Sequence, residues 1–350
     1  MFDLVSEAQA AALIGLIGGI ALGLAARIGR FCTLGAIEDA LYSTDDRRLR
    51  MWGIAIGVAI IGVHTAMAGG RLDATDTVYL SQAWNPLATV FGGLIFGYGM
   101  AMAGNCGYGA LARLGGGDLR SLVIVIVMGL SAAVVISGPL ALPRIWVFPV
   151  EMADTPQSLG HLLETRLGIP ALLTGLATGA AIFAVALANR SMLRSPGHVF
   201  WGAVVGLSVA SGWVGTYWIF DTGFGLEPIE SHTFAGPIAD TIFYGMTASG
   251  NAVSFSVGSV TGVIIGAFLG SAYKGHLRWE ACEDPRELRR QIGGAALMGA
   301  GAVLAVGCSV GQGLSAFSLL AYSAPVALLS IFAGAALGLR HLIEGIVPAE

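Results

Sequence analysis

Nine stretches of the chain, near residues 11–29, 51–69, 86–105, 120–139, 167–188, 198–219, 252–272, 291–307 and 323–341, are apolar for long enough to cross a bilayer as helices. In hydrocarbon every backbone N–H and C=O must find its partner inside the protein, which leaves runs of this length little choice but helix. Only 11% of the residues are charged and 55% are hydrophobic, where a soluble chain needs about a quarter charged to cover its surface. The expected class is therefore an all-α polytopic membrane protein, one integral domain over residues 1–350, with membrane lipid as its surroundings. A net charge of -4 and the lack of a basic run with interleaved aromatics argue against a nucleic-acid partner. No basic segment or small-residue cleavage site accompanies the first run, so it is expected to be a retained helix.

The connections between the runs orient the chain, because basic residues collect on the cytoplasmic side. Alternate connections carry fifteen of them, from Arg27, Arg30, Arg47, Arg48 and Arg50 through Lys274 and Arg278 to Arg340; the other set holds only Arg71, Arg144 and Arg166. The N-terminus is expected outside and the C-terminus inside.

A repeat then becomes visible. A shift of 202 lays Gly92, Gly97, Gly99, Ala103, Cys106 and Gly109 on Gly294, Gly299, Gly301, Ala305, Cys308 and Gly311. Upstream, a shift of 201 lays Gly35, Ile37 and Asp39 on Gly236, Ile238 and Asp240, within short amphipathic stretches near 33–44 and 234–249. These stretches are too short to cross and are expected as re-entrant or interfacial half-helices. The matched copies have opposite orientation in the expected topology, as in transporters built from inverted repeats. The architecture expected is a first repeat over 11–139, a linking span over 167–188 and an inverted second repeat over 198–341. A competing match, Gly15, Gly19 and Gly23 with Gly262, Gly266 and Gly270, joins helices of the same orientation and is taken as packing spacing.

Each repeat contains a cysteine in a glycine-dense break, Gly104-Asn105-Cys106-Gly107-Tyr108-Gly109 and Gly307-Cys308-Ser309-Val310-Gly311-Gln312-Gly313. A broken helix in a membrane is tolerated where it lines a cavity, and the N-terminus of the following half-helix attracts anions. In apolar surroundings the neutral S–H form is expected, able to donate to an anion that a thiolate would repel. Simple burial as small hydrophobes is the alternative. Cys32, with Arg30 before it, opens the first half-helix; its counterpart in the second repeat is Thr233. Arg30 either draws an anion into an inner vestibule or anchors the helix end. Asn105 and Gln312 either cap helix ends or face a ligand, and Asp39 and Asp240 have structural or proton-coupling roles open to them. Cys282, in a charged loop, is taken as incidental. No C-x-x-C pair and no histidine cluster points to a metal, and no cofactor is implied. Tryptophans near span ends, Trp52 among them, are expected as interfacial anchors.

The three segments around Cys32 (Gly29 to Asp39), Cys106 and Cys308 (Gly307 to Ser315) together resemble the YeeE/YedE family of sulfur-transport membrane proteins. The resemblance implies an inner-membrane importer of thiosulfate or a related sulfur oxyanion, with Cys32, Cys106 and Cys308 relaying the ion by S–H hydrogen bonds. It also implies a separate small sulfur-carrier partner of the TusA type, and leaves a selenium compound open as substrate. The expected reading is transport without chemical change, the ion meeting Cys308, then Cys106, then Cys32. The alternative is a membrane thiol enzyme that passes sulfane sulfur through a cysteine persulfide, which would need an activated cysteine; neither Cys106 nor Cys308 has a neighbouring histidine or lysine in sequence.

Overall fold

The computed structural model describes residues 6–43, 45–281 and 284–344. Its helices in chain order are α1 (Glu7–Arg27), α2 (Thr33–Tyr42), α3 (Arg47–Ala68), α4 (Val78–Ser81), α5 (Pro86–Ala103), α6 (Gly107–Gly115), α7 (Leu119–Ile136), α8 (Ala141–Val147), α9 (Leu159–Leu167), α10 (Ala171–Leu187), α11 (Arg190–Leu193), α12 (Pro196–Thr222), α13 (Ala235–Thr247), α14 (Phe255–Tyr273), α15 (Pro285–Leu304) and α16 (Ser323–Glu344), with a π-helical segment at Gly311–Ala316 before the last. Among the described residues there is no strand beyond isolated bridges. Local chemistry explains where the helices begin. Ser6 and Gln9 form a reciprocal capping box on α1. Asn85 with Pro86 opens α5, and Asp284 with Pro285 opens α15.

Among the described residues seven helices, α1, α3, α5 continued by α6, α7, α12, α14 and α16, are long and apolar enough to cross a membrane. The two remaining apolar runs also form helices. One of these, α10, has 17 residues, and the other, α15, carries Arg286, Glu287, Arg289 and Arg290 at its start. The two amphipathic stretches form α2 and α13, of 10 and 13 residues, about 15 and 20 Å long at 1.5 Å per residue.

Glycine sets how closely the long helices approach. Gly15, Gly19 and Gly23 of α1 lie against the carbonyls of Phe255, Ser259 and Val263, and Gly258, Gly262 and Gly266 of α14 against those of Ala12, Leu16 and Ile20. The spacing read as packing thus joins two parallel helices backbone to backbone, as small residues permit where no hydrophobic effect drives association. Between antiparallel α5 and α15 the contact is reciprocal: Gly92 meets Gly301, and Gly99 meets Gly294. α5 also packs on α16, α15 on α7, α3 on α12, and α1 on α12. Trp52 corrects one expectation. It is 5% exposed and its ring stacks on Phe31 at 4.7 Å, so it belongs to the interior and not to a membrane interface.

Candidate functional site

One local design occurs three times. Cys32, Cys106 and Cys308 stand in extended backbone or at a turn just before α2, α6 and the π-helical segment, and each sulfur accepts the backbone N–H three residues on: Gly35 at 3.5 Å, Gly109 at 3.4 Å and Gly311 at 3.5 Å. Two residues before each cysteine the chain takes positive φ: 58° at Arg30, 77° at Gly104 and 54° at Val306. Glycine suits that conformation, but a β-branched valine there is strained, and such outliers persist where surrounding structure holds them. Gly104 is itself the C-cap of α5, while Arg30 and Val306 follow Ile28 and Ala305, the C-caps of α1 and α15; in each copy the cysteine two positions later precedes the next helix. The sulfur uses its acceptor capacity on the amide, which leaves its S–H free to donate elsewhere.

Hydroxyls connect the three turns. Thr33 Oγ1, buried beside Cys32 in sequence, donates to Cys106 Sγ at 3.8 Å and lies 3.1 Å from Ser309 Oγ, the neighbour of Cys308. On the other side Thr233 Oγ1 sits 3.7 Å from Cys308 Sγ. The structure therefore brings Cys32, Cys106 and Cys308 to one place, through a threonine that the cysteine pattern did not single out. Its adjacency to Cys32 was the available signal. Thr233 was found by register as the partner of Cys32, though its contact with the Cys308 thiol was not.

The two amides behave differently. Gln312 is fully buried and donates to the carbonyls of Ala305 at 2.6 Å and Val306 at 3.1 Å while accepting from Ser323, so it closes the end of α15. Asn105 is 1% exposed, and neither its oxygen nor its nitrogen has a partner. Buried polar groups are ordinarily satisfied, and an orphan costs about 1–3 kcal/mol. Asn105→Leu is therefore expected to keep or raise the melting temperature. Gln312→Ala, which orphans two carbonyls, is expected to lower it. Thermal melts check both, and a destabilised Asn105→Leu would show that the Asn105 amide serves packing.

Two cavities lie at opposite ends of α5. One, of about 410 Å³, is lined by Arg30, Cys32, Asn105 and Gly109 together with Arg27, Arg48, Arg113 and Lys274, against one acid, Glu38. Like-charged walls of this kind concentrate anions. The other, of about 70 Å³, lies where α5 begins and α15 ends, among Tyr79, Asn85, Arg144, Val306 and Gln312. Cys106 and Cys308, each 1% exposed, lie buried in the interior. Asp39 pairs with Arg48 at 3.3 Å, a positioning contact for α2. Cys282 lies outside the described residues.

Among the described residues, seven helices long and apolar enough to cross a membrane, with no strand beyond isolated bridges, define a polytopic all-α membrane protein. The chain belongs to the sulphur-transport family, the YeeE/YedE family, which matches residues 28–337. It is similar to the thiosulfate transporter TsuA of Escherichia coli, 25% identical with 92% of each chain covered, and to the thiosulfate transporter TsuA of Spirochaeta thermophila, 24% identical with 91% of this chain and 94% of the relative covered.

Proposed function

We propose that this protein imports thiosulfate, or a closely related sulfur oxyanion, across the cell's inner membrane and leaves it chemically unchanged. The observation that carries the reading is the threefold cysteine turn between two cavities, one of them strongly basic. The ion enters at the Tyr79 and Gln312 cavity, meets Cys308, passes the Thr33 hydroxyl to Cys106, and leaves past Asn105, Cys32 and Arg30 into the basic vestibule. A soft terminal sulfur accepts weak S–H hydrogen bonds while the amides of the short helices offset the oxyanion charge. Weak stations in series suit conduction, since a deep well would trap the ion.

The architecture that fits this path has nine spans in two inverted repeats of four, 11–139 and 198–341, with α10 as the link. Exchanging α1, α3, α5 and α7 for α12, α14, α15 and α16 maps observed pairs onto observed pairs: α1 on α14 becomes α12 on α3, and α5 on α16 becomes α15 on α7. The reciprocal Gly92–Gly301 and Gly99–Gly294 contacts obey the same exchange. With basic connections inward, the N-terminus lies outside, the C-terminus inside, and the basic vestibule opens to the cytoplasm. A separate small sulfur-carrier protein of the TusA type would receive the ion there.

Uptake of isotope-labelled thiosulfate into reconstituted vesicles, competed with sulfate, selenite and tetrathionate, tests this. Saturable uptake competed weakly by sulfate is expected; selenite as the strong competitor would move the reading to selenium. The thiol-enzyme alternative predicts a lasting sulfane adduct on Cys106 by mass spectrometry after exposure to thiosulfate, where the transport reading predicts none.

A further inference from the structure

We propose that Tyr79 is the latch between the smaller cavity and Cys308, and that an anion entering by that cavity opens it; this rests on the proposed path and deepens it. Tyr79 lines the cavity together with Val306 and Gln312. Its hydroxyl and Thr233 Oγ1 both face Gly311 of the Cys308 turn, and Thr233 Oγ1 lies 3.7 Å from Cys308 Sγ. The two glycines of the Cys308 turn locate it further. A Cβ on Gly311 would run into Thr233 Oγ1 and stand 3.0 Å from the Tyr79 hydroxyl, and one on Gly307 would stand 3.4 Å from it. The phenol therefore has its ring on the cavity wall and its oxygen over the thiol turn, between any entering ion and Cys308.

Tyr79 is carried by a connection and not by a membrane-crossing helix. It sits on the four-residue α4, in the connection between α3 and α5, and that connection is stitched by Ala83 to Glu151, Ala153 to Ser81 and Gln157 to Leu80 backbone bonds to the connection around residues 149–157. The ring rests edge-on against Trp213 at 6.2 Å, a contact that survives small rotations. Arg144, from α8, lines the same cavity, and its buried Nε has no partner in the protein. It is the one charged residue on that lining among the described residues. An oxyanion held by Arg144 offers the Tyr79 hydroxyl a charged acceptor within the cavity, away from the Cys308 turn. Hydrogen bonds to charged acceptors are the stronger kind, so this bond favours opening and frees Thr233 and Cys308 to receive the ion.

The test is the rate at which a charged, membrane-impermeant methanethiosulfonate modifies Cys308 in the full chain, applied from the Tyr79 face and read by peptide mass spectrometry. Modification of a site that opens transiently follows the population of the open form. Tyr79→Phe, which keeps the ring and loses the hydroxyl that stands over the Cys308 turn, is expected to speed labelling about fivefold. Tyr79→Ala is expected to exceed it, at least ~10-fold. Arg144→Gln should remove the acceleration of labelling by added thiosulfate. Equal Cys308 labelling in wild type and Tyr79→Phe, with both folded, overturns the latch. If labelling accelerates as expected while wild-type vesicles take up no thiosulfate, the latch stands and the proposed substrate falls.

Discussion

Cys106→Ala is expected to reduce thiosulfate uptake at least ~100-fold, about 2.7 kcal/mol on the barrier, while the protein remains folded in detergent. The substitution removes two things: the S–H that the proposed relay uses, and the sulfur that accepts from Gly109 N–H and Thr33. Losing a helix cap costs about 0.5–2 kcal/mol of stability, which a helical membrane protein of this size withstands. Cys106→Ser separates the two effects. A serine oxygen accepts the Gly109 amide at least as well as sulfur does, so α6 stays capped, while its hydroxyl is a harder and more strongly bonding partner than a thiol. Uptake by the serine variant is expected to stay near that of alanine, with its melting temperature near that of wild type. Full uptake by Cys106→Ser would mean that the cap is what matters and would sink the thiol relay.

The sequence made some of this legible for reasons that can be named. Apolar run length gave the helix positions directly, because a membrane permits few other outcomes. The short stretches at 33–44 and 234–249 emerged as α2 and α13 because they are amphipathic and too brief to cross. The pairing of Cys106 with Cys308 was visible because glycine breaks on both sides leave a pattern that plain packing has no need of. The shared turn geometry was not visible, since its first position is filled by arginine, glycine and valine in the three copies. Only a backbone measurement reveals that Val306 adopts the conformation that glycine announces at position 104. The roles of Asn105 and Gln312 were likewise open, because an amide beside a helix end can cap it or face a cavity. The difference lies in the Ala305 and Val306 carbonyls and the Ser323 hydroxyl, which the turn and the start of α16 bring to Gln312, with no equivalent at Asn105. Trp52 misled because its place near a span end resembles an anchor, while its partner Phe31 comes from the preceding connection.

Gly262→Leu is expected to have the largest effect on folding of any single change considered. The Cα of Gly262 faces the backbone of α1: a Cβ there would collide with the Leu16 carbonyl and stand 2.9 Å from the Gly19 Cα and 3.0 Å from the Ile20 nitrogen. These atoms belong to a helix and cannot rotate away as a side chain would. Overpacking that side-chain shifts can absorb costs about 1–3 kcal/mol; here α1 and α14 must separate along their length, releasing the contacts of Gly15, Gly19 and Gly23 together. Function follows the same contact. Beyond the last of these glycines Arg27 donates to Ser271 at 2.7 Å and Lys274 to the Ile28 carbonyl at 3.0 Å, and this junction holds the chain as it turns through Arg30 into Cys32. Loss of the monodisperse peak in size-exclusion chromatography is expected for Gly262→Leu, and a large fall in melting temperature for Gly262→Ala. Gly293 of α15 supplies the control, since nothing lies within 4 Å of its added Cβ. Gly293→Ala should stabilise by up to about 1 kcal/mol through helix propensity alone. If Gly262→Ala melts no lower than Gly293→Ala, the backbone contact between α1 and α14 is not what sets the helix spacing, and the placement of Cys32 must have another cause.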